Sequence, residues 1–87
     1  MGLEFPNRSR SFDEANRGVR FMGYDGMVSV PFLIEVEALE ELGFLSQPEA
    51  SALAAFDAAR SSIFEIARRI YSASRQTSYR IAAEDCR

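Results

Sequence analysis

Apolar and polar residues alternate along residues 18–33, and from residue 35 onward apolar positions recur every three or four. The first pattern is that of a half-buried strand pair and the second that of helices with one greasy side. Two strand-like runs, 18–24 and 27–33, flank Asp25-Gly26, the favoured loop of a two-residue type I′ hairpin. That loop sets Tyr24 opposite Met27, Phe21 opposite Val30 and Val19 opposite Phe32. One face then collects Val19, Phe21, Val28, Val30 and Phe32, while the other shows Arg20, Met22, Tyr24, Met27 and Ser29. Inside and outside separate cleanly, as a half-buried antiparallel pair requires. Pro31 would face Arg20 at a hydrogen-bonded pair without an N–H to give, so the ladder is expected to end or bulge near Val30.

Helical spacing begins at 35–42, where Ile34, Ala38, Leu39 and Leu42 share a side and Gly43 offers a positive-φ stop. Ser46 and Glu49 read as a capping box around Pro48, which opens a long helix over 47–72. Ala52, Phe56, Ala59, Ile63, Ile66, Ala67 and Ile70 form its apolar stripe, with Leu53, Phe64 and Tyr71 at the edge. Residues 79–83 alternate again and give a final strand. Upstream of the hairpin, residues 1–10 read as an extended arm anchored by Leu3 and Phe5. A short strand near 11–13 follows, with a turn over 14–18 in which Asn16 and Gly18 take positive φ. The expectation is one α+β domain spanning 1–87: an antiparallel sheet of three to four strands, made from the hairpin 18–33 and the strand 79–83, with both helices on the face holding Phe21 and Phe32.

Several stretches resemble a known family. They are Phe5-Pro6-Asn7-Arg8-Ser9, Val19-Arg20-Phe21-Met22-Gly23-Tyr24-Asp25, Glu37-Ala38-Leu39, and the spaced set Phe56, Arg60, Ile63, Ala67 and Tyr71. From Phe5 to Asp85 the chain is similar to the small bacterial proteins grouped as Domain of Unknown Function 1488. The resemblance implies a stand-alone bacterial α+β domain and carries no activity and no catalytic positions.

Composition removes many chemistries. The 87 residues include no His and one Cys, Cys86, so histidine-based triads, cysteine–histidine pairs and ordinary zinc sites are absent. No apolar run reaches the roughly 20 residues that span a bilayer. A single cysteine and no apolar leader imply a reducing, cytoplasmic setting. The net charge of −3 is unevenly spread: residues 21–59 carry seven acids and no base, whereas 60–87 carry six Arg against three acids. All ten bases are Arg, which fits guanidinium recognition of phosphate or carboxylate as well as a simple compositional bias. An acidic chain is a poor general binder of nucleic acid.

Five groups of residues merit a role. Met22, Tyr24 and Met27, extended by Leu33, form a large apolar set on the hairpin's outer face. Either the arm's Leu3 and Phe5 fold back over it, or it meets a second copy of the chain, or it meets another protein. Arg60 falls inside the apolar stripe and needs an acid, carbonyls or a route to water. Its candidate acids are Asp25, Glu35, Glu37 and Asp57, and its role is a structural ion pair or an anion site. Arg68, Arg69, Arg75 and Arg80 gather near the long helix's end and could touch nucleic acid with Tyr79 stacking on a base, but no reader fingerprint accompanies them. Glu35, Glu37, Glu40 and Glu41 read as a solvated face and not as a metal site, because hard cations want a turning loop. Cys86 reads as a terminal thiol with no neighbouring cation but Arg87, open to reaction but not placed for catalysis. The sequence thus points to a non-enzymatic interaction module without cofactor or metal, acting through the outer hairpin face on another protein or itself. The alternative is a small-anion or nucleic-acid binder at Arg60 or the C-terminal arginines. An enzyme made from Tyr, Arg and carboxylates would require Arg60, Tyr71 and an acid to converge in a deep pocket.

Overall fold

The computed structural model describes residues 2–6, 9–43 and 49–86. Four strands form one sheet in the order β1-β2-β3-β4: β1 (Arg10–Asp13), β2 (Gly18–Asp25), β3 (Val28–Glu35) and β4 (Tyr79–Ile81). Between β3 and β4 come helices α1 (Val36–Glu41), α2 (Glu49–Ala58) and α3 (Arg60–Ala73), and a 3₁₀ turn, Ala83–Cys86, closes the described chain. The architecture is α+β, with the helices on one side of the sheet.

The hairpin forms, but two residues out of the expected register. Asp25 pairs with Val28, Met22 with Pro31, Phe21 with Phe32 and Val19 with Ile34, so the loop is Gly26-Met27 and not Asp25-Gly26. Gly26 adopts φ 63°, which a type II′ turn demands at its first loop position. A shift of two keeps the alternation, so the core still receives Val19, Phe21, Val30 and Phe32. Val28 is the exception: it lands beside the turn, past the core's end, and is 62% exposed. The same shift accommodates Pro31. Opposite Met22 it occupies a pair that exchanges no hydrogen bonds with β2, and the ladder runs unbroken to Glu35.

Local chemistry also departs from expectation in the 14–18 turn. Arg17, with φ 51°, takes the left-handed position, while Asp13 accepts the Asn16 backbone N–H at 3.1 Å. Gly18 is required for space: a Cβ there would lie 2.6 Å from the Ile34 carbonyl oxygen.

The long helix is broken once. Ala59 (φ −102°, ψ 13°) separates α2 from α3, and its N–H is shared between the carbonyls of Ala55 and Phe56. The apolar stripe survives the break, with Ala52, Phe56, Ala59, Ile63, Ile66 and Ala67 all buried. The capping box at Ser46 lies outside the described residues. Because α2 and α3 together make one return leg, β4 enters alongside β3 in the same direction, pairing Phe32 with Tyr79 and Ile34 with Ile81. The sheet is therefore mixed and not wholly antiparallel. β4 stops at Ile81, two residues short of the expected strand. There the Asp85 carboxylate accepts the Ala82 N–H, and the Asp85 N–H bonds back to the Ala82 carbonyl, turning the chain.

Aromatic rings fill the space between the layers. Phe21 and Phe32, register partners, stack at 5.2 Å, Phe32 continues to Tyr79 at 5.2 Å, and Phe21 meets Phe56 at 5.1 Å. Phe5 lies flat on Phe64 at 4.0 Å. Burying such side chains stabilises by roughly 1.5–3 kcal/mol each, enough to offset the roughly 1–2 kcal/mol of backbone entropy lost per ordered residue.

Candidate functional site

That balance decides where the arm goes. Glu4 exchanges two backbone hydrogen bonds with Tyr24, at 2.7 and 2.8 Å, extending β2's edge pairing. Leu3 and Phe5 then turn inward, over Gly23, where a Cβ would come within 2.9 Å of both side chains. Among the described residues the arm therefore seals the core's end and does not cover the outer face, unlike the fold-back alternative.

The outer face itself divides in two. Its lower half is held by ion pairs: Arg20 to Asp13 at 2.6 Å, and Arg80 to Glu35. Leu33 lies between its register partners Arg20 and Arg80 and is buried, so it does not extend the exposed apolar row. The upper half carries Met22 and Tyr24, both half-buried, and ends at the tip with Met27, which is 99% exposed.

Arg60 sits at the start of α3, buried, with its guanidinium 5.0 Å from the Phe56 ring centre and 5.7 Å from that of Phe64. Of the four candidate acids, Asp57 is its partner, at 2.6 Å. The one-residue break at Ala59 lies between the two. Asp57 is shared: Arg10, from β1, forks it with Nε and Nη2 at 3.0 and 2.9 Å. The Asp57 carboxyl is held below its ordinary pKa, chiefly by the Arg10 hydrogen bond and then by Arg60, with burial opposing. This three-group knot ties β1 to the α2–α3 junction.

The four C-terminal arginines are not one cluster. Arg68 donates to the Leu3 carbonyl at 3.1 Å and lies over Phe5, so it fastens the arm. Arg69 donates to the Asp85 carbonyl at 2.7 Å on another side of α3. Arg80 belongs to the outer sheet face. Arg75 lies 4.7 Å over the Tyr71 ring, and among the described residues it makes no ion pair. Tyr79 is buried with its hydroxyl bonded to the Ser74 carbonyl at 2.6 Å, so it presents no ring for a base.

Tyr71 brings an unexpected pairing. Its hydroxyl donates to the Asp25 carboxylate at 2.6 Å, across 46 positions of sequence, and this hydrogen bond, followed by burial, raises the phenol's pKa above the usual tyrosine value. From the sequence Asp25 is a turn residue and a candidate acid for Arg60, and Tyr71 a stripe edge expected to work with Arg60 if at all; nothing in their spacing signals the contact between the two that the fold creates. Arg60 lies eleven residues before Tyr71, about 16 Å along a helix axis, so these two do not converge. Glu37, Glu40 and Glu41 are exposed, and no set of three metal-ligating side chains gathers among the described residues. Burial, then the charges of Asp85 and Glu41, push the Cys86 thiol up. No helix among the described residues is long and apolar enough to cross a membrane.

A four-stranded sheet with its helices on one face and an open outer face defines the class: a small α+β domain whose conspicuous groups lie on its surface. A family model described as a protein of unknown function (DUF1488) matches residues 3–82, and the chain belongs to that family. A crystal structure of a protein of unknown function from the same family, from Shewanella loihica PV-4, superimposes with a TM-score of 0.79 at 18% identity. The match covers 92% of this chain and 91% of that one, and it bears on the fold alone. No curated protein matches the chain.

Proposed function

We propose that this protein is a non-enzymatic interaction module that inserts its hairpin tip into an apolar concavity of another protein. The observation that carries this reading is Met27, a large apolar side chain left 99% exposed on a tight two-residue turn. Met22 and Tyr24 stand behind it on β2 and broaden the contact. A flexible thioether fits pockets of varied shape. A projecting turn suits a concave partner better than a second copy. Self-pairing of the flat outer face would stack the ion pairs of Asp13 with Arg20 and Glu35 with Arg80 on themselves. The absence of His from the chain and the mutual engagement of Asp57, Arg10 and Arg60 support a non-catalytic role.

A photocrosslinking residue at position 27, in the native cell, tests the reading. The expected result is one discrete adduct with a different protein, lost in Met22→Ser. With that partner purified, Met27→Ser should weaken binding by about tenfold or more, as loss of a buried anchor does. An adduct with a second copy, or affinity unchanged by Met27→Ser, sinks the proposal.

A further inference from the structure

β3 is eight residues long, yet β4 pairs only with Phe32, Leu33 and Ile34. The half nearest the tip, residues 28–31, has β2 on one side and no strand on the other. In a ladder where Asp25 and Val28 close a two-residue loop, alternate residues point their backbone groups away from the partner strand. Ser29 and Pro31 are those residues. The Ser29 N–H and C=O therefore face outward with no bond from a described residue, whereas the Pro31 C=O, which faces the same way, is taken by the Tyr79 N–H where β4 begins. A strand edge with an unpaired N–H and C=O is a ready template for another strand.

Beside this edge runs a groove of about 360 Å³, bounded by Val28, Ser29 and Val30 on one side and by Tyr71, Arg75 and Gln76 on the other. Val28 supplies exposed apolar surface at its mouth. Arg75 supplies a guanidinium steadied over the Tyr71 ring, with no acid of its own among the described residues. Glu4 and Asp25 line a neighbouring cleft that shares Tyr71 and Arg75, and they do not line this groove.

We propose that the uncovered edge of β3 binds the C-terminal segment of an extended peptide, antiparallel to β3, with its terminal carboxylate on Arg75. The direction follows from the placement of Arg75. It lies over Tyr71, whose hydroxyl reaches Asp25 opposite Val28, so the carboxylate belongs at the Val28 end. The peptide then adds a strand in line with β4, about four residues long at roughly 3.3 Å each. Backbone bonds to Ser29 give affinity, the carboxylate fixes the register, and alternate side chains meet Val28, Val30 and Tyr71. This site is separate from the Met27 tip and does not depend on it.

The probe is an N-acetylated tetrapeptide alternating serine and valine, with a free C-terminus, followed by amide NMR of the full chain. Expected are shifts at residues 28–31 and 75–77 and slowed exchange of the Ser29 amide. Amidating the peptide's C-terminus, or Arg75→Gln, should weaken binding by about tenfold, the scale of one charge-assisted hydrogen bond. Ser29→Pro, which removes an outward N–H at a sheet edge, should abolish it, with the thermal midpoint recorded to show that the fold persists. Equal binding of the amidated peptide, shifts at β1 instead, or no shifts at all would each overturn the proposal. So would Ser29→Pro and Arg75→Gln proteins that are folded and bind as the wild type does.

Discussion

Arg60 opens α3 and Arg75 lies two residues past its end, and each rests its guanidinium over an aromatic ring, at 5.0 Å from Phe56 and 4.7 Å from Tyr71. Their surroundings differ in two respects. Arg60 is buried and paired with Asp57; Arg75 is exposed and makes no ion pair among the described residues. An aromatic seat alone therefore says little about a guanidinium's job. Burial with a carboxylate makes Arg60 part of the frame, and exposure without an ion pair is what the proposed carboxylate site at Arg75 draws on.

The largest test of that contrast is Arg60→Ala. It removes a buried stem from between two rings and breaks the ion pair, and should cost about 2–4 kcal/mol in chemical denaturation. Arg60→Met keeps the volume and should recover most of the loss. A cost for Arg60→Ala no greater than that of a surface change would erase the distinction.

Asp57→Asn should cost less, about 1–2 kcal/mol, since Arg10 and Arg60 keep a neutral acceptor. It also carries a pH signature. The folded Asp57 carboxyl titrates below its unfolded value, so its stabilisation is whole above roughly pH 4 and is lost as pH falls through the depressed folded pKa. Acid melts of wild type and Asp57→Asn should therefore converge below that range. Parallel curves would mean that the knot contributes no pH-linked stability.

The smallest effect belongs to Arg75→Ala, which should change stability by no more than about 0.5 kcal/mol. A loss comparable to that of Arg60→Ala would make both arginines structural.

Much of this frame was legible in the residues, and what was missed has identifiable physical causes. Alternation fixes a strand's faces regardless of register, so the buried set at Val19, Phe21, Val30 and Phe32 could be read even though the pairing was two residues off. Choosing between Asp25-Gly26 and Gly26-Met27 depends on which loop position receives the glycine, and Pro31 held the clue: only the observed register places it where no bond to β2 is lost. The break at Ala59 has no proline or glycine to announce it, because a single shared N–H suffices to make it. Arg60's discord with its stripe was visible from spacing, and Asp57 was among its named candidates. Asp57's other partner, Arg10, was not foreseen, because it lies 47 positions from Asp57 and the sheet brings it there. Exposure within the outer set is uneven: Met27 is 99% exposed, whereas Leu33 is shielded by two arginines that look merely solvated in the sequence.

The parallel seat of β4 has a consequence for how the molecule is made. Tyr79 must find Phe32, 47 positions earlier, before the third strand gains its second neighbour. Closing so distant a contact is entropically slow relative to local hairpin formation. On the ribosome the hairpin can assemble early, but its third strand must wait until residues 79–81 emerge. During that interval β3 offers its entire far side to any extended segment nearby, its own late-arriving strand being only one of the contenders.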